Sequence, residues 1–166
     1  MQRFFNTIGV IGKLNDPRVA STLTTVCTYL REQNYQVVVE QGSAQFVCDS
    51  SVRIGSAEQL GTECDVVIVL GGDGTFLGAV RAVVANNIPL IGVNLGRLGF
   101  LVDISPDTLT QTLTQILAGN YTKEQRYLLR AKILRNEQVI HEETAVNEVA
   151  IHRWLSLIHI SEPTRR

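Results

Sequence analysis

The amino-acid sequence predicts an α/β protein, with a doubly wound parallel sheet in its N-terminal part and the start of a β-rich unit after it. Three observations carry this. Between Thr7 and Asn120, short apolar runs alternate with stretches of helical periodicity, the pattern of strand–helix–strand units. The run Val66-Val67-Ile68-Val69-Leu70 is apolar throughout, too short for a buried helix and mostly valine, as expected of a strand covered on both faces. From Tyr121 the alternation stops, and strand-like segments follow one another directly.

Thr7–Gly12 reads as the first strand, and it ends in a loop containing Lys13 and Asn15, at the strand end where ligands bind in open α/β sheets. Asp16 is placed to cap a helix that has Pro17 at its first position. Val19, Leu23, Val26 and Leu30 form that helix's apolar face, and Asn34-Tyr35 stops it. Gln36–Glu40 is a second strand. The stretch from Gln41 to Cys64 is polar and weakly periodic, with short helical pieces expected around Ala44–Val47 and Ala57–Leu60. After the valine-rich strand, a glycine turn opens a helix on Phe76, Leu77, Val80, Val83 and Val84. Ile88–Asn94 is the next strand, with Pro89 at its entry, where a missing N–H is tolerated. Ser105-Pro106-Asp107 starts another helix, buried through Leu109, Leu113, Ile116 and Leu117 and stopped at Gly119-Asn120. Beyond it, Tyr127–Leu134 reads as a strand, Asn136-Glu137 as a turn, and Val139–Ile151 as one or two returning strands.

Composition narrows the classes of function. With 45% hydrophobic and 19% charged residues over 166 positions, the chain is globular rather than disordered. A net charge of −1 and the lack of a basic stripe argue against a nucleic-acid partner. No apolar run approaches the ~20 residues that a membrane span needs. The N-terminal Met1–Asn6 is too poor in apolar residues to read as a signal peptide. Cys27, Cys48 and Cys64 are widely spaced, signal neither a zinc site nor a disulfide framework, and suit a reducing cytoplasm. His141, His152 and His159 lack the spacing of metal ligands, and no metal-ligating residues are expected.

The chemistry concentrates in Gly71-Gly72-Asp73-Gly74-Thr75. Glycines let the backbone approach a ligand, and the first N–H groups of a helix can hold an anion. A bare carboxylate in such a turn repels phosphate, so Asp73 needs either a metal ion between them or a proton to accept. A ribose hydroxyl supplies the proton, and Mg²⁺ on a nucleoside triphosphate supplies the metal. A tight turn that merely contains Asp is the plainer reading, since turns favour both residue types.

Neither Gly-x-x-x-x-Gly-Lys-Ser/Thr nor Gly-x-Gly-x-x-Gly occurs. The glycine–aspartate loop instead resembles that of the superfamily joining NAD kinases, diacylglycerol and sphingosine kinases, and 6-phosphofructokinases. Asn94-x-Gly96-x-Leu98-Gly99-Phe100 resembles the second loop of NAD kinases, and Thr144-Ala145-Val146-Asn147-Glu148-Val149 resembles their Asn-Glu motif. Three motifs in this order make the resemblance specific; it covers residues 7 to 152 and is closest to the bacterial NAD kinases.

The resemblance implies a Rossmann-like, doubly wound nucleotide-binding domain over residues 1–120 and the first strands of an incomplete β-rich domain over 121–153. It implies transfer of the γ-phosphoryl group of ATP, or of polyphosphate, to the 2′-hydroxyl of the adenosine ribose of NAD. Mg²⁺ or another divalent ion would accompany ATP, and the full-length enzymes usually form homo-oligomers. Asp73 is the implied catalytic residue. Gly72, Gly74, Asn147, Glu148 and Phe100 join it in binding substrate, with Phe100 against the adenine. Plainer readings stand beside these: Asn147-Glu148 as a hairpin turn, Phe100 as a core residue and Arg97 as a solvated cation. Rival functions are a lipid or sugar-phosphate kinase with the same loop, a non-catalytic NAD-binding module, and a structural α/β domain.

Two departures from the family pattern are visible. The Gly-Ser-Thr-Ala-Tyr stretch of the family's β-rich domain is missing, and residues 154–166 (WLSLIHISEPTRR) resemble the translation of a sequencing adapter rather than the family. The expectation is therefore a truncated chain with an unpaired strand edge and little or no activity of its own.

Overall fold

A computed structural model describes residues 3–47, 49–96, 99–146 and 148–149. In chain order its elements are β1 (Thr7–Gly12), α1 (Pro17–Glu32), β2 (Gln36–Glu40), β3 (Arg53–Gly55), α2 (Ala57–Glu63), β4 (Val66–Gly71), α3 (Asp73–Val83), β5 (Leu90–Asn94), α4 (Leu109–Leu117), β6 (Leu129–Arg135) and β7 (Gln138–Ala145). The chain groups into two compact units, Met1–Glu124 and Gln125–Arg166.

In the first unit, β1 to β5 form one parallel sheet in the order β3-β2-β1-β4-β5. Every residue of β4 is buried, as its unbroken apolar run predicts. Successive side chains of a strand leave opposite faces, so the sheet feeds two cores. Ile8, Val10, Ile68 and Leu70 meet Leu23 and Leu30 of α1 and Leu113 of α4 on one face. Val67, Val69 and Val38 meet Leu60 of α2 and Ala79 and Val83 of α3 on the other. Each such aliphatic side chain contributes about 1.5–3 kcal/mol by leaving water. Cys27 and Cys64 belong to these cores, and burial pushes both thiols up to about 11, so they fill space rather than react.

The local signals place the elements where they were read. Asp16 caps α1 by accepting from the backbone N–H of Arg18, and Pro17 opens the helix. Val19, Leu23, Val26 and Leu30 are all buried. Asn34, at φ 60, turns the chain out of α1 towards β2. Gly119, at φ 92, ends α4, with the N–H of Gly119 donating to the Ile116 carbonyl at 2.9 Å.

Four readings need correction. The polar stretch contains a strand, β3, whose three residues stand as a strand only through pairing with β2. The first helical piece is a 3-10 helix over Gln41–Phe46, one turn earlier than expected; it is fixed where Ser43 Oγ accepts from the Gly12 N–H at 2.8 Å. The buried residues of α3 are Ala79 and Val83, whereas Phe76, Leu77, Val80 and Val84 are only half-buried, with Phe76 packed against the same core. The small Gly61 of α2 lies close against α3, where a Cβ would sit 3.3 Å from the Ala82 carbonyl. The last helix begins as a 3-10 turn over Pro106–Thr108 before α4 proper.

In the second unit, β6 and β7 form an antiparallel hairpin joined by Asn136 and Glu137, at φ 50 and 63. Two consecutive positive φ values mark the primed two-residue turn that matches strand twist. β7 ends at Ala145, short of the Ile151 expected from the sequence. The expected tail over 154–166 lies outside the described residues.

Candidate active site

The chain leaves β1 towards β2 and β3, then returns to β4 on the opposite side of β1. Loops at the carboxyl ends of two such strands diverge and leave a crevice between them. Here that crevice has a volume of about 660 Å³ and is lined by Gly12 at the end of β1 and Lys13 after it, by Gly42, by Gly72 before α3, and by Gly74 and Gly78 within α3. A Cβ at Gly72, Gly74 or Gly78 would meet nothing within 4 Å, and none of the three has a positive φ. The fold itself thus requires glycine at none of them, and the bare backbone leaves room for a ligand.

The loop after β1 carries a tight charge cluster. Asp16 is buried, and its two oxygens accept from Arg18 Nε at 2.9 Å and from Arg18 Nη2 at 2.7 Å, with Lys13 Nζ at 3.4 Å. The Arg18 guanidinium above all, helped by the Arg18 backbone N–H and Lys13, holds the Asp16 carboxyl well below the usual carboxylate range, against the opposing effect of desolvation. Lys13, half-exposed, remains at the crevice rim.

Asp73 is the first residue of α3 and follows the uncharged cap Gly72. The positive end of the helix dipole favours an anion there. Its carboxylate does not cap its own helix. It reaches to the loop after β5, where Oδ2 accepts from the Phe100 N–H at 2.9 Å and Oδ1 from the Leu101 N–H at 3.1 Å. The carboxylate lies directly over Gly99, and a Cβ on that residue would sit 2.3 Å from Oδ1. The same loop is tied to the end of β4, because the Leu95 N–H donates to the Gly71 carbonyl at 3.1 Å.

The structure therefore brings Gly72, Asp73, Gly74 and the backbone of Phe100 together at one sheet end. The Phe100 side chain is 96% exposed, which overturns the core reading: with its N–H directed at Asp73, the ring projects into solvent. Glu148 is exposed in the second unit. Asn147, Arg97, Leu98, His152 and His159 lie outside the described residues. Sequence reasoning missed the Gly99–Leu101 backbone as a partner of Asp73. The signal available was that two glycine-punctuated loops, at 71–75 and 94–101, follow neighbouring strands and should face one crevice, which brings the loops together without naming the amides.

An open parallel sheet with a glycine-lined crevice at its switch point, and an acid between two of the lining glycines in sequence, defines a doubly wound α/β ligand-binding domain. The sequence model of the ATP-NAD kinase N-terminal domain matches residues 8–121. The chain belongs to the ATP-NAD kinase family. It is 46% identical over 148 residues to the NAD kinase of Methylococcus capsulatus, covering 89% of this chain and 51% of that protein. It is 41% identical over 152 residues to the NAD kinase of Nitrosomonas europaea, covering 92% and 51%. The chain thus spans about half the length of the curated relatives it matches. In fold it is similar to yeast NADH kinase, solved in complex with NADH, with a TM-score of 0.72 at 18% identity over 84% of this chain and 46% of that one.

Proposed function

We propose that the chain provides the nucleotide-binding half of a NAD kinase, in which Asp73 serves the adenosine ribose of NAD. The observation that carries this reading is the state of the Asp73 carboxylate. It sits at the switch point beside the crevice, with one amide hydrogen bond on each oxygen. An ionised carboxylate offers roughly four lone-pair sites, so about two remain for a substrate hydroxyl. In the reaction a bond forms between the ribose 2′-oxygen and the γ-phosphorus, and the bond from that phosphorus to the bridging oxygen of ADP breaks. The hydroxyl proton passes to Asp73 and then to water. Such transfers depend on alignment and charge rather than covalent help.

Gly72 and Gly74 leave the backbone open to the sugar and phosphates. Asn147 and Glu148 supply a donor–acceptor amide and a strong acceptor for vicinal hydroxyls, and the projecting Phe100 ring is available to an adenine. ATP, or polyphosphate in its place, is the donor. Among the described residues no group of three or more His, Cys, Asp or Glu side chains gathers, so these residues offer no cage for a resident ion. This donor set suits Mg²⁺ or another divalent ion arriving on the triphosphate, which needs only one or two protein carboxylates, with Asp73 the nearest candidate. The bound ion supplies charge screening on the phosphates. No helix among the described residues is long and apolar enough to cross a membrane. A cytoplasmic homo-oligomer is the setting we propose for the full-length enzyme.

Thermal unfolding tests the reading on this chain. NAD at ten times its dissociation constant should stabilise the fold by about 1.4 kcal/mol, raising Tm by a few degrees. Fructose 6-phosphate and diacylglycerol should leave Tm unchanged. In an enzyme of the relatives' full length that carries these residues, Asp73→Asn should lower kcat by on the order of 10²–10⁴ with a far smaller change in KM for NAD. A Tm that responds to the sugar phosphate or the lipid and ignores NAD overturns the assignment.

A further inference from the structure

We infer that Gly99 is a positioning residue for Asp73, and that the Phe100 and Leu101 amides form a clamp that aims its carboxylate at the acceptor hydroxyl. The functional half of this statement rests on the NAD kinase reading; the clamp itself rests on geometry alone.

Asp73 and the clamp lie 27 and 28 residues apart in sequence, the one at the start of the helix after β4 and the other in the loop after the adjacent β5. Each carboxylate oxygen takes one N–H, so both the position and the plane of the group are defined. One hydrogen bond would leave the carboxylate free to swing; two, from consecutive amides, do not. Hydrogen bonds to a charged acceptor are worth more than neutral ones, so the pair is a substantial constraint on a half-buried side chain.

Gly99 is what allows this approach. Its virtual Cβ lies 2.3 Å from Oδ1, 2.6 Å from Cγ and 2.7 Å from Oδ2 of Asp73. No side chain fits between loop and carboxylate. The three atoms nearest to that Cβ all belong to the Asp73 carboxyl group. The obstructed group is also the end of a flexible side chain. An alanine at 99 would therefore displace the carboxylate rather than the backbone, leaving the fold intact and the aim lost.

The experiment uses the 166-residue chain, labelled for NMR. The Phe100 and Leu101 amide protons should shift with pH along one titration curve, with the midpoint of the Asp73 carboxyl carbon. In Gly99→Ala that shared titration should disappear while the dispersed spectrum and the Tm remain. Asp73→Asn, which keeps glycine at 99, should abolish it too and does not depend on the alanine variant folding. Amides that do not follow Asp73 in the unsubstituted chain, or that still follow it in Gly99→Ala, overturn the clamp. The second arm compares NAD with its analogue lacking the adenosine 2′-hydroxyl. The unsubstituted chain should prefer NAD by roughly tenfold or more, the worth of a hydrogen bond to a charged group, and Gly99→Ala should lose that preference. If Gly99→Ala keeps it, the positioning role is overturned. If neither ligand binds while the shared titration is present, the NAD reading fails and the clamp stands.

Discussion

A carboxylate stays charged at the head of α1 because Asp16 has three partners at once: the Arg18 side chain, the Arg18 N–H and Lys13. Its folded value is depressed from 3.8, so its contribution to stability is present above the unfolded value and is lost as pH falls through the folded one. Tm should therefore fall steadily as pH drops below about 4. Asp16→Asn should lower Tm at pH 7 and flatten that acid limb, which thermal melts between pH 7 and pH 2 would measure; an unchanged acid slope would refute the assignment. At this scale the sequence was informative about identity and silent about partnership. Asp16 was readable as a cap from the Pro17 beside it. Asp73 was readable as the reactive group from its glycines. That both Asp73 oxygens are held by amides from another loop was not readable, because nothing near residue 73 in sequence encodes a contact nearly thirty residues away.

Elements with a local cause were legible, and elements with a tertiary cause were not. α1, α4 and the β6–β7 turn carry their own stops in Asn34, Gly119 and Asn136, each at positive φ. β3 carries nothing of the kind; Arg53-Ile54-Gly55 is a strand because β2 offers it partners. The 3-10 helix over Gln41–Phe46 depends likewise on the bond between Ser43 and the Gly12 backbone. The turn in the hairpin is imperfect in a way that can be tested. Glu137 occupies a left-handed position that costs a side-chain-bearing residue about 1–2 kcal/mol, where glycine fits without strain. Glu137→Gly should stabilise the hairpin by about 1 kcal/mol, seen as slower amide exchange across β6 and β7. Faster exchange would show that Glu137 makes a compensating contact.

At the scale of the molecule, stability is unevenly distributed. The five-stranded sheet has a core on each face, whereas the hairpin leaves Leu129, Ile133, Leu134, Val139 and Ile140 exposed. A lone two-stranded hairpin is marginal in water. Compact proteins share an unfolding enthalpy near ~0.7 kcal/mol per residue at about 60 °C. Scanning calorimetry of this chain should fall below that figure when the heat is divided by all 166 residues; a full value would mean that the hairpin melts as a packed body. The doubly wound arrangement of the first unit was predictable from alternating runs and one valine-rich strand, and the hairpin from its turn. The division of burial between them was not, since exposure depends on what lies opposite a strand and not on its own composition. The hairpin's bareness also governs how binding measurements on this chain should be read. A melting curve weighs only what grips the sheet, so a compound held chiefly through Glu148 would leave the midpoint where it was and be scored as a non-binder.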